Sequence, residues 1–142
     1  MNWILLAVLS AIFFGAYNFF IKIASGHINQ IVGAAILQIV TAIVGGTILI
    51  ILKMTHGPLQ ISQKGILFAI LAGIMVALAE ISSFFLFSKG ISASVGIPII
   101  IGGSIVVGAV LGLTFLKETL NPIHYFAILL IVIGVIILTA TK

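Results

Sequence analysis

The sequence predicts an all-α integral membrane protein, a single domain over residues 1–142 with five transmembrane helices. Of the 142 residues, 63% are hydrophobic and 6% are charged, and the mean hydropathy is +1.49. A soluble domain needs a polar exterior that so few charged residues could not provide. The apolar residues also fall into five long runs. Each run is predicted to be a helix, because an open strand could not satisfy its backbone hydrogen bonds in lipid.

The five runs occupy residues 3–23, 31–52, 65–87, 91–116 and 123–140. Even the last and shortest run would be about 27 Å long at about 1.5 Å per residue, which is enough to cross a hydrocarbon core. The first run lacks the preceding basic residues of a secretory signal peptide and is too long for its apolar region. We therefore expect it to remain as the first spanning helix.

Turn-forming residues separate the runs, at 25–29, 55–64 and 89–90. Asn121 followed by Pro122 predicts the start of the fifth helix, with asparagine as the N-cap and proline at the first helical position. Pro98 lies in the first turns of the fourth helix. It is expected to kink or unwind that end, because proline removes one backbone hydrogen bond.

The charged residues argue against several classes of function. The net charge of +4 comes from lysines scattered near the ends of the runs, which is typical of interfacial anchoring and not of a nucleic-acid surface. The chain has no cysteine, and its histidines are too scattered for a metal site: His27, His56 and His124. No nucleophile–base pair or phosphate loop is visible. We predict no catalytic residues, no metal and no cofactor, with the lipid bilayer and a small molecule as partners.

Small and polar residues gather on one stripe of each of the first four helices, at spacings of three and four. The stripes are Ala11, Gly15, Asn18 and Lys22; Ala34, Gln38, Thr41 and Gly45; Ala69, Gly73, Ala77, Glu80 and Ser83; Ser104, Gly108 and Gly112. Such stripes are typical of helix packing in membranes. We predict packing roles for Gly15, Gly73, Gly108 and Gly112. For Asn18, Gln38 and Thr41, hydrogen bonds between helices are favoured somewhat over ligand contact. The fifth helix lacks a polar stripe and is expected to be peripheral.

Glu80 is an unusual residue for its place, about 6 Å beyond the centre of the third span. An ionised side chain there costs on the order of 3 kcal/mol unless it is compensated. Three interpretations remain open. Glu80 could form a structural ion pair with Lys22, or it could stay protonated and bond to Ser83. The favoured interpretation is a water-accessible carboxyl that neutralises a cationic substrate or exchanges a proton with it, because intramembrane acids often mark transport pathways.

Glu118 is the other acidic residue and lies close to the start of the fifth helix. The helix dipole favours negative charge there, so a structural role is expected.

Two stretches resemble the drug/metabolite transporter superfamily, specifically a single EamA-type five-helix domain. The stronger is PIIIGGSIVVGAVLGLTFLKETLNPIHYFAILLIVIGVIIL, a proline-led helix, a turn with glutamate and an apolar helix with a late I-x-x-G-V. Its pattern positions are Pro98, Glu118, Gly134 and Val135. The second stretch is FFGAYNFFIKIAS, whose pattern positions are Phe14, Gly15, Asn18 and Lys22. The resemblance covers essentially the whole chain, but it assigns no role to Glu80.

The resemblance implies half of an inverted-repeat transporter, since most members contain two such domains. A lone domain must then obtain its other half from another chain. The lysines divide evenly between the two sides of the membrane, with Lys53, Lys64 and Lys117 on the N-terminal side and Lys22, Lys89 and Lys142 on the other. The positive-inside rule therefore gives no preferred orientation. We expect dual topology and an antiparallel homodimer.

The function expected from this resemblance is secondary transport of small organic solutes by alternating access, with possible proton coupling through Glu80. The candidate substrate-binding residues are Glu80, Asn18, Gln38, Tyr17 and Lys22. The alternatives are a non-transporting subunit of a larger complex, a lipid-linked-sugar flippase subunit and a small multidrug exporter; the last generally has four helices. The expected location is the plasma membrane of a prokaryote, as a multi-pass protein.

Overall fold

The computed structural model describes residues 2–140, and every regular element in that part of the chain is an α-helix. The helices are α1 (Trp3–Ala24), α2 (Gln30–Met54), α3 (Gln63–Ser88), α4 (Ala93–Phe115) and α5 (Pro122–Ala140). All five are long and apolar enough to cross a membrane. The predicted class, an all-helical chain with five spanning helices, is confirmed, and each helix begins and ends close to its predicted bounds.

Capping residues explain where the bounds differ. α2 begins at Gln30 because Asn29 accepts hydrogen bonds from the backbone N–H groups of Ile31 and Val32. α3 begins two residues before the apolar run because the Ser62 hydroxyl accepts from Gly65. The length of the apolar run underestimates the length of both helices, because each helix begins at a polar N-cap outside the hydrocarbon. The fifth start was predicted correctly: Asn121 Oδ1 accepts from the N–H of Ile123, and α5 begins at Pro122.

Of the two outcomes predicted for Pro98, unwinding is excluded because α4 is continuous through this residue, and a kink stays a prediction. Pro98 has no backbone N–H, so the carbonyl of Ser94, four residues earlier, lacks its usual helical hydrogen-bond donor. Ser94 is exposed, so this carbonyl is not enclosed in a packed interior. α4 instead begins later than predicted, because Ser92 has the extended backbone of an N-cap, with φ −68° and ψ 149°.

The chain divides into two compact units, which are described separately. The first contains α1 as far as Phe19, together with α4 and α5. In this unit α4 packs on α5 at Gly102, where a Cβ would lie 2.5 Å from Val135 Cγ2. α5 itself has no buried residue, and its expected peripheral place stays a prediction.

The connection from α4 to α5 is folded back on α4. Lys117 has a left-handed backbone, with φ 53°, and the N–H of Glu118 donates to the carbonyl of Gly112 at 3.1 Å. A Cβ at Gly112 would lie 2.5 Å from Glu118 Oε2. Gly112 therefore leaves room for the Glu118 side chain, a different role from the helix-to-helix packing predicted for it.

The second unit, Phe20–Lys89, contains the end of α1 with α2 and α3. α2 and α3 are packed at one end only. Gly33 and Ala34 near the start of α2 are buried, as are Phe84 and Phe87 near the end of α3. By contrast, residues 63–76 of α3 are exposed on every face, and so are residues 39–54 of α2 except Gly46.

Candidate functional site

The site is built around a hydrogen bond between α2 and α3. Glu80 is 4% exposed, and the side-chain amide of the half-buried Gln38 donates from Nε2 to Glu80 Oε2. A buried carboxyl in low dielectric needs such a donor, because an unsatisfied polar group is costly there. An amide also supports either protonation state, since its N–H donates to an ionised oxygen and its C=O accepts from a protonated one.

An aromatic cluster follows Glu80 along α3. Phe84 is 2% exposed and Phe87 is 1% exposed. Phe84 lies against Gly33 of α2, where a Cβ would come within 2.6 Å of Phe84 Cε1. Any other residue at position 33 would therefore displace the ring. The Ser83 hydroxyl donates to the carbonyl of Ala79 in its own helix at 2.8 Å, so its oxygen can still accept from a protonated Glu80, and that interpretation stays a prediction.

Lys22 reaches the end of α3. Its ammonium donates to the carbonyl of Phe87 at 3.4 Å and lies 5.9 Å from the centroid of the Phe87 ring. A cation at the last carbonyls of a helix is favoured by the helix dipole, and the aromatic face adds a cation–π attraction. The structure thus gives the ammonium a partner in Phe87, and the ion pair with Glu80 stays a prediction.

Replacing Lys22 tests this assignment. We expect Lys22→Met to lower the free energy of unfolding by about 1 kcal/mol, the sum of a helix-terminus interaction and an exposed cation–π contact. Lys89→Met, at the exposed C-cap of the same helix, is the matched control and should have less effect. Denaturation in detergent measures both variants. In a double-mutant cycle, the stability effects of Lys22→Met and Glu80→Gln should be additive. A coupling free energy above about 1 kcal/mol would instead support the Lys22–Glu80 ion pair.

Asn18 is a separate buried polar group, in the first unit. It is 3% exposed, and its Nδ2 donates to the carbonyl of Phe14 at 2.9 Å. Only the nitrogen can donate, so this bond fixes the orientation of the amide. Asn18 Oδ1 is buried and has no hydrogen-bond partner among the described residues. It is an acceptor available to a ligand or a water molecule.

Tyr17 lies beside Asn18 on α1. Its ring meets Phe14 edge to face, with centroids 6.1 Å apart and an interplanar angle of 88°. Tyr17, Phe14, Ser10 and Phe13 line a shallow groove of about 260 Å³.

The remaining polar-stripe residues have local partners. Thr41 donates to the carbonyl of Leu37 at 2.9 Å, within its own helix. Of the three residues for which bonds between helices were favoured, only Gln38 is seen to bond across helices in residues 2–140. Among residues 2–140, apart from chain neighbours and nearby backbone of the same helix, no atom lies within 4 Å of a Cβ added at Gly15, Gly73 or Gly108. Packing roles for these three glycines therefore remain predictions.

Among the five predicted binding residues, Gln38, Glu80 and Lys22 lie in the second unit. The structure adds Gly33, Phe84 and Phe87 to the surroundings of Glu80. Phe84 and Phe87 continue the face of Glu80 at steps of four and three residues, and that spacing could have identified them. Gly33 showed no comparable pattern. Residues 2–140 contain no group of three His, Cys, Asp or Glu side chains placed to hold a metal ion.

Comparison with known proteins gives the family. Residues 1–140 match the profile of the EamA-like transporter family. The chain is also similar to the uncharacterized protein MJ1333.1 of Methanocaldococcus jannaschii, with 34% identity over 140 residues, covering 98% of this chain and 97% of the relative. No solved structure matches the chain. With five helices able to span a membrane and a family match over nearly its whole length, this multi-pass membrane protein belongs to the EamA-like transporter family.

Proposed function

We propose that the protein is a secondary transporter of small organic solutes, with Glu80 at the centre of its binding site. The observation that supports this most is the burial of an ionisable side chain, 4% exposed, between two spanning helices of a chain from a transporter family. A carboxyl in such a place is costly, and intramembrane acids commonly mark substrate or ion pathways.

Coupling follows from competition for one carboxyl. When Glu80 is protonated, it is neutral and matches its desolvated surroundings. A cationic substrate favours the ionised form, so its arrival releases the proton, and protonation on the other side of the membrane releases the substrate. The Gln38 amide can hydrogen-bond Glu80 in both states, so it can orient the carboxyl throughout the cycle.

The other predicted contacts are kept in the proposal for separate reasons. Asn18 offers a buried oxygen that lacks a donor among the described residues, so it suits a substrate N–H or O–H group. Tyr17 offers an aromatic face. Lys22 is given a smaller part, because its ammonium is already bonded to the Phe87 carbonyl.

The proposed assembly is an antiparallel homodimer in the plasma membrane of a prokaryote, working by alternating access. Two inverted five-helix copies would form the ten-helix arrangement that the family resemblance implies. The even division of the lysines supports insertion in both orientations, although Lys142 lies outside the described residues. The archaeal source of the similar protein agrees with a prokaryotic membrane.

Orientation can be measured with single cysteines, because the natural chain has none. Thr55 is the C-cap of α2 and Ser88 ends α3, one membrane crossing later, and neither Thr55→Cys nor Ser88→Cys replaces a lysine. In intact cells, an impermeant thiol reagent should label about half of each variant, because half of the copies present either end outside. Labelling of one variant to completion while the other stays unlabelled would exclude dual topology.

Ligand binding tests the proposed function itself. Purified protein is screened by thermal denaturation against organic cations, amino acids, nucleosides and sugars at two pH values. A bound solute stabilises the folded state according to its occupancy. We expect one class to raise the melting temperature of the wild type and not that of Glu80→Gln. If no solute stabilises the protein while Glu80→Gln itself is strongly destabilised, Glu80 is structural and the non-transporting subunit becomes the better interpretation.

A further inference from the structure

The packed end of α2 and α3 lies on one side of Glu80. Along α3, Phe84 and Phe87 follow Glu80 by about 6 and about 10 Å toward the Lys89 end of the helix. Both rings are almost fully buried, whereas residues 63–76, on the other side of Glu80, are exposed on every face. A solute moving from Glu80 toward the Lys89 end must therefore displace these rings.

Gly33 makes the closure possible. It is buried in the first turns of α2, and the edge of the Phe84 ring occupies the space where a Cβ would be. At Gly45 and Gly46, also in α2, a Cβ would meet no side chain of the described residues within 4 Å. The close approach of the two helices is thus specific to the position that faces Phe84.

Lys22 binds the same end of α3. Its ammonium binds the carbonyl of Phe87, the residue next to the end of α3, and lies over the ring. This contact joins the end of α1 to the end of α3, where the aromatic rings are buried. It can be broken without unfolding a helix, because the carbonyl belongs to the last turn.

We infer that Gly33, Phe84 and Phe87 form a gate between Glu80 and the Lys89 end of α3, closed in this structure and fastened by Lys22. The inference rests on the proposed transport function and identifies which residues separate the site from one side of the membrane. In the open state, Phe84 leaves Gly33 and the ends of α2 and α3 part. Closure requires that the side chains at positions 33 and 84 fit together, as Gly33 and Phe84 do in this structure.

The labelling rate of a buried thiol reports how readily the gate opens, and this test does not require a known substrate. Ser83→Cys places a reporter next to Phe84, at a position that is 7% exposed. The probe is a cationic, water-soluble methanethiosulfonate, applied to purified full-length protein in detergent so that orientation does not matter. We expect slow labelling of the reporter in the parent. Phe84→Ala should speed labelling at least about tenfold, since removal of a buried aromatic ring strongly favours opening.

Phe85→Ala is the matched control for the aromatic change, because Phe85 is the next residue and is 44% exposed. Its labelling rate should stay close to that of the parent. Lys22→Met should also speed labelling, and Lys89→Met should not. Equal rates for Phe84→Ala, Phe85→Ala and the parent would overturn the gate.

A second pair of variants does not depend on deleting the ring. Gly33→Ala should speed labelling because the new methyl group pushes Phe84 away, whereas Gly45→Ala should leave the rate unchanged. Phe84→Leu, added to Gly33→Ala, restores room and should return labelling toward the slow rate. Each variant is first checked for a single monodisperse species. Fast labelling that Phe84→Leu does not reverse would contradict the gate.

The two proposals fail separately. Labelling is measured without a solute, so the contrast between Phe84→Ala and Phe85→Ala decides the gate alone. If the contrast is present but no solute stabilises the protein and Glu80→Gln is strongly destabilised, the closed contact stands and the transport function falls. If solutes bind and are transported while the contrast is missing, the function stands and the gate falls.

Discussion

Glu80→Gln is expected to fold normally and to lose the pH dependence of transport across neutral pH. The amide has the size of the carboxyl, and its oxygen can still accept from Gln38, so the link between α2 and α3 is kept. It cannot ionise, so it can neither release a proton nor neutralise a cation. A hydrogen bond to a charged group contributes about 1.5–3 kcal/mol, which corresponds to a loss of about 10- to 100-fold in affinity for a cationic substrate.

Uptake into proteoliposomes at a series of pH values measures this effect once the thermal screen has identified a ligand. Glu118→Gln provides the matched control, because it makes the same chemical change at the only other acidic residue. Glu118 lies in the connection between α4 and α5, so this variant should keep the pH profile of the wild type. A normal profile in Glu80→Gln would show that proton coupling does not depend on Glu80.

Gly102→Val is expected to be the most destabilising substitution in the pair of α4 and α5. The added Cβ would lie 2.5 Å from Val135 Cγ2 and 3.4 Å from Ile131 Cγ2. One of the two helices must therefore move. Overpacking of this kind typically costs about 1–3 kcal/mol of stability. Chemical denaturation in detergent measures the loss, provided that unfolding is reversible.

Gly103→Val adds the same side chain at the next residue, where the new Cβ would meet no side chain of residues 2–140 within 4 Å. It should be close to neutral, since both variants share the loss of backbone freedom and the β-branched side chain. Val135→Ala removes the methyl group that Gly102→Val meets and should recover part of its stability. Equal effects at positions 102 and 103 would mean that the contact with α5 does not limit the packing.

The spans were predictable because they depend on hydropathy, which is local to each run. The start of α5 was also predictable, since Asn121 and Pro122 are adjacent in the sequence. The starts of α2 and α3 were placed too late because Asn29 and Ser62 are polar, and a hydropathy criterion counts a polar cap as loop. Pro98 did not unwind α4, because a proline near a helix start removes one hydrogen bond and leaves the others intact.

The candidate site was predictable in part. Helical spacing placed Gln38 and Glu80 on polar stripes of their helices, and the structure joins them. Spacing cannot tell which neighbouring helix a long side chain reaches, so the Phe87 carbonyl was not foreseen as the partner of Lys22. Glycines were equally ambiguous. Gly33 and Gly102 accept a neighbour's side chain and Gly108 does not, because tertiary packing decides between them.

The bond between Gln38 and Glu80 has a consequence for biogenesis. Ribosomal synthesis delivers α2 before α3, so Gln38 leaves the ribosome before Glu80. The two helices are consecutive and antiparallel, and they can insert as a hairpin in which the carboxyl meets its amide donor at once. Glu80 would oppose the insertion of α3 alone. With α2 beside it, the Gln38 amide supplies a hydrogen bond that lowers this cost. On this view Gln38 belongs as much to the assembly of the protein as to its finished site.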